Sequence, residues 1–227
     1  MSQNSKINIP RRHRVHQVKI ISLLIDNSSS TKKVLPKMVC LVNELLSRLS
    51  EFEHVRVLVS VSFFGTNHRI AQDFIDVKRI HTIECPSAFG CTNMGRALIS
   101  EVNRTIDFYK QYKAQHADQL VFPPSVYMLT DGRNDAGSGA SEYEVVKNKK
   151  QFQDASSLIR NFESDNPLKA DQLNFYAIGL QNALGSAVQS ELQSLTRHSD
   201  HVLTVSNSST LVSLFNTIAY WTSTSFR

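Results

Sequence analysis

An apolar segment near the start of the chain, VKIISLLID (Val18 to Asp26), constrains the fold most strongly. It is nearly all leucine and β-branched residues, and a continuous apolar run of this length is typical of a strand covered on both faces, as in a parallel sheet. The strand stops in a carboxylate, and an asparagine, three serines and a threonine follow directly. This abrupt change indicates either an ordinary turn or a site that holds something charged.

Strands and helices then alternate along the chain. Apolar residues recur every three or four positions from Leu35 to Leu49, which predicts an amphipathic helix. VRVLVSVSFFG predicts a second buried strand, and the shorter, more polar RIAQDFIDV is expected to return beside it as an edge strand. The remaining predicted elements are, in order, a helix from near Thr92, the strand SVYMLTDG, a helix around Phe152, the strand LNFYAIGL, the helix VQSELQSLTRH, the strand HVLTV and a closing helix.

This alternation predicts a doubly wound α/β fold with helices on both faces of the sheet. In such sheets ligands bind at the carboxyl ends of the strands. We find neither an internal repeat nor a linker, so we expect a basic N-terminal arm over residues 1–17 and one domain over residues 18–227.

The cysteine count and the N-terminal sequence predict a cytoplasmic protein. An odd number of cysteines (Cys40, Cys85 and Cys91) argues against a disulfide framework and for a reducing compartment. The N-terminus has no apolar core of a secretory signal, and no segment approaches the ~20 apolar residues that cross a bilayer. We therefore expect no membrane association.

The net charge of +5 leaves nucleic acid open as a partner. Much of the excess lies in RRHRVHQVK, which could contact nucleic acid or an acidic protein. The segment has no interleaved aromatic residues for stacking on bases. We interpret it as a solvated arm, and nucleic-acid binding is not expected.

Five oxygen-bearing side chains form the candidate site. Asp26, Ser28 and Ser30 make the pattern D-x-S-x-S, and alternate residues of an extended loop point the same way. Thr92 offers a hydroxyl at a helix start, and Asp131 offers a carboxylate after another buried strand. Each alone reads as a turn or cap residue. Together they are hard oxygen ligands that suit Mg²⁺ or Mn²⁺ rather than zinc or copper.

The order of these motifs resembles the von Willebrand factor A (vWA) domain. D-x-S-x-S after a first buried strand, the threonine of GCTNMGRAL and LTDG after a later strand match the positions of that family's metal-ion-dependent adhesion site (MIDAS). The resemblance covers Val18 to Trp221. It implies a mostly parallel sheet with one antiparallel edge strand, for which RIAQDFIDV is the candidate. The chain departs at Ser29, where many members have glycine.

The resemblance also implies roles for the five residues. Ser28 and Ser30 would bind the metal directly, Thr92 would bind it directly or through water, and Asp26 and Asp131 would act mostly through water or hydrogen bonds. The family's usual ligand is an acidic side chain of a partner protein. A looser likeness to the intracellular bacterial branch implies a role in stress-response or tellurite-resistance systems.

An enzyme is the rival class, in the form of a magnesium-dependent phosphoryl-group hydrolase. Haloacid-dehalogenase phosphatases also have an aspartate after the first strand, but they place a second aspartate two residues on, where this chain has Ser28. The sequence contains neither a P-loop nor a G-x-S-x-G motif. A serine nucleophile needs a base, and no histidine lies near Ser28 or Ser30 in the sequence. We therefore expect a metal-dependent protein-binding module and no catalysis.

Overall fold

The computed structural model describes residues 17–163, 172–180, 186–205 and 208–223. Of the predicted N-terminal arm, residues 1–17, only Gln17 lies within these ranges. Among the described residues no helix is both long enough and apolar enough to cross a membrane.

A seven-stranded sheet runs through the described residues, and its order is β3-β2-β1-β5-β6-β7, with β4 beside the start of β1. All pairs are parallel except β2 and β3, which are antiparallel. The prediction of a mostly parallel sheet with one antiparallel edge strand is therefore confirmed. The strands are β1 Gln17–Asp26, β2 Val55–Phe64, β3 His68–Asp76, β4 Leu120–Val121, β5 Ser125–Thr130, β6 Asn174–Leu180 and β7 Val202–Val205.

Helices cover both faces of the sheet, as the apolar character of β1 requires. On one face, Ile21, Leu23 and Ile25 of β1 share a core with the first and last helices. On the other face, Leu24 shares a core with the three helices between them. The helices are α1 Leu35–Ser50, α2 Met94–Gln115, α3 Glu142–Phe162, α4 Ser186–Leu195 and α5 Ser208–Ser223.

Helix α3 is longer than its apolar spacing indicates. It begins at Glu142, after a capping box in which Ser141 and Glu144 bond each other's backbone groups. The first turns expose Tyr143, Val145 and Val146 instead of burying them. The amphipathic pattern around Phe152 therefore marks only the part of the helix that packs on the sheet.

A buried polar network lies between α2 and the sheet. Glu101 is fully buried, and its carboxylate accepts hydrogen bonds from Ser22 of β1, from Ser62 of β2 (3.0 Å) and from Arg104. Its Oε2 also lies 2.9 Å from Nε2 of His68 in β3. The network ties α2 to three strands, and the periodicity of the sequence gave no sign of it.

The connections place a crevice between β1 and β5. From β1 the chain continues to β2 and β3 on one side, and it later returns to β5, β6 and β7 on the other side. The loops after β1 and β5 therefore diverge, and this reversal is where open α/β sheets bind ligands. Asp26 ends β1, and Asp131 directly follows β5.

Candidate metal site

Asp26 is held rigidly at the end of β1. Its side chain is fully buried, its Oδ1 accepts a hydrogen bond from the backbone N–H of Ser28 (2.8 Å), and its Oδ2 accepts one from Oγ1 of Thr130 (2.6 Å). Because Thr130 is the last residue of β5, the carboxylate joins the two central strands across the crevice.

The surroundings of Asp26 disfavour its negative charge. Burial and, to a smaller extent, the nearby charge of Asp131 raise the pKa of this carboxyl to about 6, against the opposing effect of the hydrogen bonds from Thr130 and Ser28. Burial also raises the pKa of Asp131, which Ser30 opposes by its hydrogen bond. Two carboxylates in an environment that penalises their charge favour a cation beside them.

The serine hydroxyls connect the loop that follows Asp26 to the loop that begins with Asp131. Oγ of Ser28 lies 3.0 Å from Oγ of Ser30, and Ser30 donates to Oδ1 of Asp131 at 2.7 Å. The local turn also exists, since Thr31 bonds the carbonyl of Ser28 through both its N–H (3.1 Å) and its hydroxyl (2.8 Å). The same segment, residues 28–31, therefore forms an ordinary turn and also presents the serine hydroxyls to Asp131.

Thr92 reaches the same edge through backbone contacts. The carbonyl of Gly90 accepts from the N–H of Ser29 (3.1 Å), and the carbonyl of Thr92 accepts from the N–H of Asp135 (2.9 Å). The Thr92 side chain is buried, and its hydroxyl makes no hydrogen bond within the described part of the chain. The structure thus links four of the five predicted residues by hydrogen bonds. Thr92 lies in a neighbouring loop, and its hydroxyl has no hydrogen-bond partner among the described residues.

The donor set fits a hard divalent cation. The site offers hydroxyl and carboxylate oxygens, which Mg²⁺ and Mn²⁺ prefer, and it has none of the nitrogen or sulfur ligands typical of zinc. In the described ranges no three histidine, cysteine, aspartate or glutamate side chains are grouped to hold a metal. A metal here would therefore depend on the serine and threonine hydroxyls.

Two supporting residues were not predicted. Thr130, the threonine of LTDG, fixes Asp26. Asn134 ties the loop after β5 to three helices: its Oδ1 accepts from the N–H of Met94 (3.0 Å), its Nδ2 donates to the carbonyl of Asn148 (3.3 Å), and its own N–H donates to Glu191 (3.3 Å). The position of Thr130 beside Asp131 was a usable signal, whereas nothing in the sequence marks Asn134.

Solved structures show the fold to be that of vWA proteins. The chain matches a von Willebrand factor type A protein from Catenulispora acidiphila at a TM-score of 0.54 and 15% identity, over 92% of this chain and 43% of that one. It matches the PilB minor pilin of Streptococcus sanguinis at 0.61 and 14%, over 94% and 62%. It also matches proximal thread matrix protein 1 of the mussel byssus, in a structure with a zinc-occupied MIDAS motif, at 0.54 and 17%, over 92% and 46%.

The chain spans less than two thirds of the length of each of these proteins. No protein-family model matches the sequence, and no curated protein matches it.

Proposed function

We propose that this protein binds Mg²⁺ or Mn²⁺ at the ends of β1 and β5 and uses the ion to bind an acidic side chain of a partner protein. The observation that carries the proposal is the chain of oxygens from Ser28 through Ser30 to Asp131, beside the buried Asp26. It lies where the topology of the sheet opens a crevice. The zinc-occupied MIDAS motif of the mussel protein, which has the same fold, supports it.

Each residue has a separate task in this proposal. Ser28, Ser30 and Thr92 provide uncharged oxygens, so the bound ion keeps much of its positive charge. Asp26 fixes the loop through the N–H of Ser28, and Asp131 fixes the hydroxyl of Ser30. When bound, the ion would supply a positive centre with coordination positions left for a carboxylate from outside.

The contacts of the serines support binding rather than catalysis. The hydroxyls of Ser28 and Ser30 contact each other and Asp131, and no histidine is bonded to either within the described residues. A phosphoryl-group hydrolase would need an acid/base group two residues after Asp26, where Ser28 stands. We therefore propose that the protein is not an enzyme, and that hydrolysis of phosphomonoesters in Mg²⁺ does not exceed that of the Asp26→Ala variant.

We also propose a cytoplasmic setting, with a role of the stress-response or tellurite-resistance type. Its support is the presence of three free thiols, two of them exposed, together with the sequence likeness to the intracellular bacterial branch. The identity of the partner captured from bacterial cytosol tests this part, whereas the metal dependence of the capture tests the bridge.

The metal site is tested by Asp26→Ala and Ser28→Ala. We expect each to weaken Mg²⁺ binding at least about tenfold, because losing a fixed ligand or its support costs a metal site 10–100-fold. Calorimetric titration with Mg²⁺ and Mn²⁺ measures this, with circular dichroism to confirm folding. The control is Ser100→Ala, an exposed position on α2. Unchanged affinity in both site variants would show that the ion binds elsewhere.

A further inference from the structure

A cavity lies beside the segment that carries Thr92 of the candidate metal site. Its volume is about 450 Å³, and Cys91 and Asn93, the neighbours of Thr92, are part of its lining. The turn between β2 and β3 contributes Thr66, whose Oγ1 accepts from the N–H of Cys91 at 3.2 Å. The cavity and the candidate metal site therefore share the segment that carries Thr92.

Two helices direct cations into the cavity. Arg96 comes from the first turn of α2 and Lys147 from α3, and both side chains are exposed. The guanidinium of Arg96 has no hydrogen-bond or ion-pair partner among the described residues. The ammonium of Lys147 lies 5.9 Å from the ring centre of Tyr143, and its charge also acts on Glu144, one turn earlier on α3. Among the described residues Arg96 is therefore the unpaired cation of the lining, and Lys147 is shared with Glu144.

The cavity's own carboxylate does not neutralise both cations. Glu144 lies in the lining, but its Oε2 accepts from both the N–H and the hydroxyl of Ser141, each at 2.8 Å. The capping box thus fixes the carboxylate at the start of α3. With two cations and one anion, the cavity has a net positive charge.

A buried amide in the lining lacks a partner. The side chain of Asn148 is more than nine-tenths buried, and its Oδ1 has no hydrogen-bond partner. Buried polar groups are rarely left unpaired in native proteins. The described residues therefore leave one polar atom of the lining unsatisfied.

We propose that this cavity binds a second carboxylate of the segment whose first carboxylate completes the metal's coordination. The partner is then an acidic segment with two acidic side chains, one at the metal and one between Arg96 and Lys147. This inference rests on the proposed function.

The experiment titrates the isotope-labelled full chain, saturated with Mg²⁺, with glycine-rich peptides that carry either one aspartate or two aspartates separated by glycine spacers of increasing length. Chemical-shift changes give the dissociation constants and the contact sites. We expect the best two-aspartate peptide to bind about tenfold more tightly than the one-aspartate peptide, as one additional charge contact of about 1.4 kcal/mol would give. The additional shifts should be at Arg96 and Lys147.

Matched variants separate the two contacts. Arg96→Gln or Lys147→Gln should remove the tenfold advantage and leave the affinity of the one-aspartate peptide unchanged. Lys78→Gln makes the same charge change just after β3, away from the cavity lining, and should preserve the tenfold advantage. EDTA should abolish binding of both peptides.

The outcomes distinguish this inference from the proposed function. If both peptides bind equally at every spacer length, or if the advantage persists in Arg96→Gln, the second carboxylate site is refuted and the metal bridge stands. If Mg²⁺ binds but neither peptide does, or if EDTA has no effect on the peptides, the proposed function fails and this inference fails with it.

Discussion

The negative charge of Asp26 is costly in the metal-free protein. Its pKa of about 6 in the folded chain lies above the ordinary value of 3.8, because burial outweighs its two hydrogen bonds. The folded state therefore holds a proton that the unfolded chain releases between these two pH values, and stability falls as pH rises through this range. A rise of this size corresponds to about 3 kcal/mol once the group is ionised.

Asp26→Asn should therefore stabilise the metal-free protein at neutral pH. The amide oxygen can accept from the N–H of Ser28, and the amide NH₂ can donate to the hydroxyl of Thr130, which is free to rotate. In EDTA we expect the variant to exceed the wild type in unfolding free energy above about pH 6, and this advantage to vanish toward about pH 4. Chemical denaturation at both pH values measures the difference.

The same substitution should remove the response to metal. Mg²⁺ is expected to raise the melting temperature of the wild type at neutral pH but not that of Asp26→Asn, because ligand binding to the folded state stabilises it. If the two metal-free proteins show the same pH dependence, Asp26 does not carry the cost assigned to it.

At the scale of elements, α2 is fixed to the sheet by charge as well as by apolar packing. Burial alone would raise the pKa of Glu101, but the hydrogen bond from His68 and the charge of Arg104 together lower it. A carboxylate with a lowered folded pKa contributes stability above its ordinary value, and this contribution is lost as pH falls through the folded value. The network should therefore weaken in acid, in the opposite sense to Asp26.

Glu101→Gln should destabilise the fold strongly. The substitution removes the buried counter-charge of Arg104 and leaves it only the exposed Asp73, and breaking one side of a buried ion pair costs about 3–5 kcal/mol. Denaturant unfolding at neutral pH measures this, and the deficit should shrink as pH falls through the lowered pKa of the wild-type carboxyl, which then becomes protonated as well. The control is Asp107→Asn, a carboxyl on the same helix with an exposed side chain. A loss no larger than the control's would show that apolar packing alone holds α2.

The sequence predicted those elements whose burial leaves a recognisable pattern of apolar residues. Strands β1, β2 and β5 are buried on both faces and read as continuous apolar runs, while β3, which lies at the edge, reads as a shorter and more polar segment. The start of α3 escaped prediction, because a solvent-exposed helical turn has no apolar face to reveal it.

For the whole molecule, the proximity of the two aspartates could be predicted because parallel strands bring their carboxyl ends to one edge. Asp26 and Asp131 follow neighbouring strands, so their position in the sequence was enough to place them together. The path of the loop before Thr92 could not be predicted, since backbone bonds such as the one from Asn93 to Gly65 (3.0 Å) fix it without side-chain preference. Asn134 escaped for a similar reason, as its three helices meet only in the folded chain.

Partner binding with and without the ion tests the central claim most directly. The full chain is immobilised and exposed to bacterial cytosol in Mg²⁺, in EDTA, and in EDTA followed by excess Mg²⁺, with the Ser28→Ala variant in parallel. We predict a partner that wild type retains in Mg²⁺, releases in EDTA and recovers when Mg²⁺ is restored, and that Ser28→Ala fails to retain. A partner that stays bound in EDTA, or that binds Ser28→Ala equally well, would contradict the metal-bridged account.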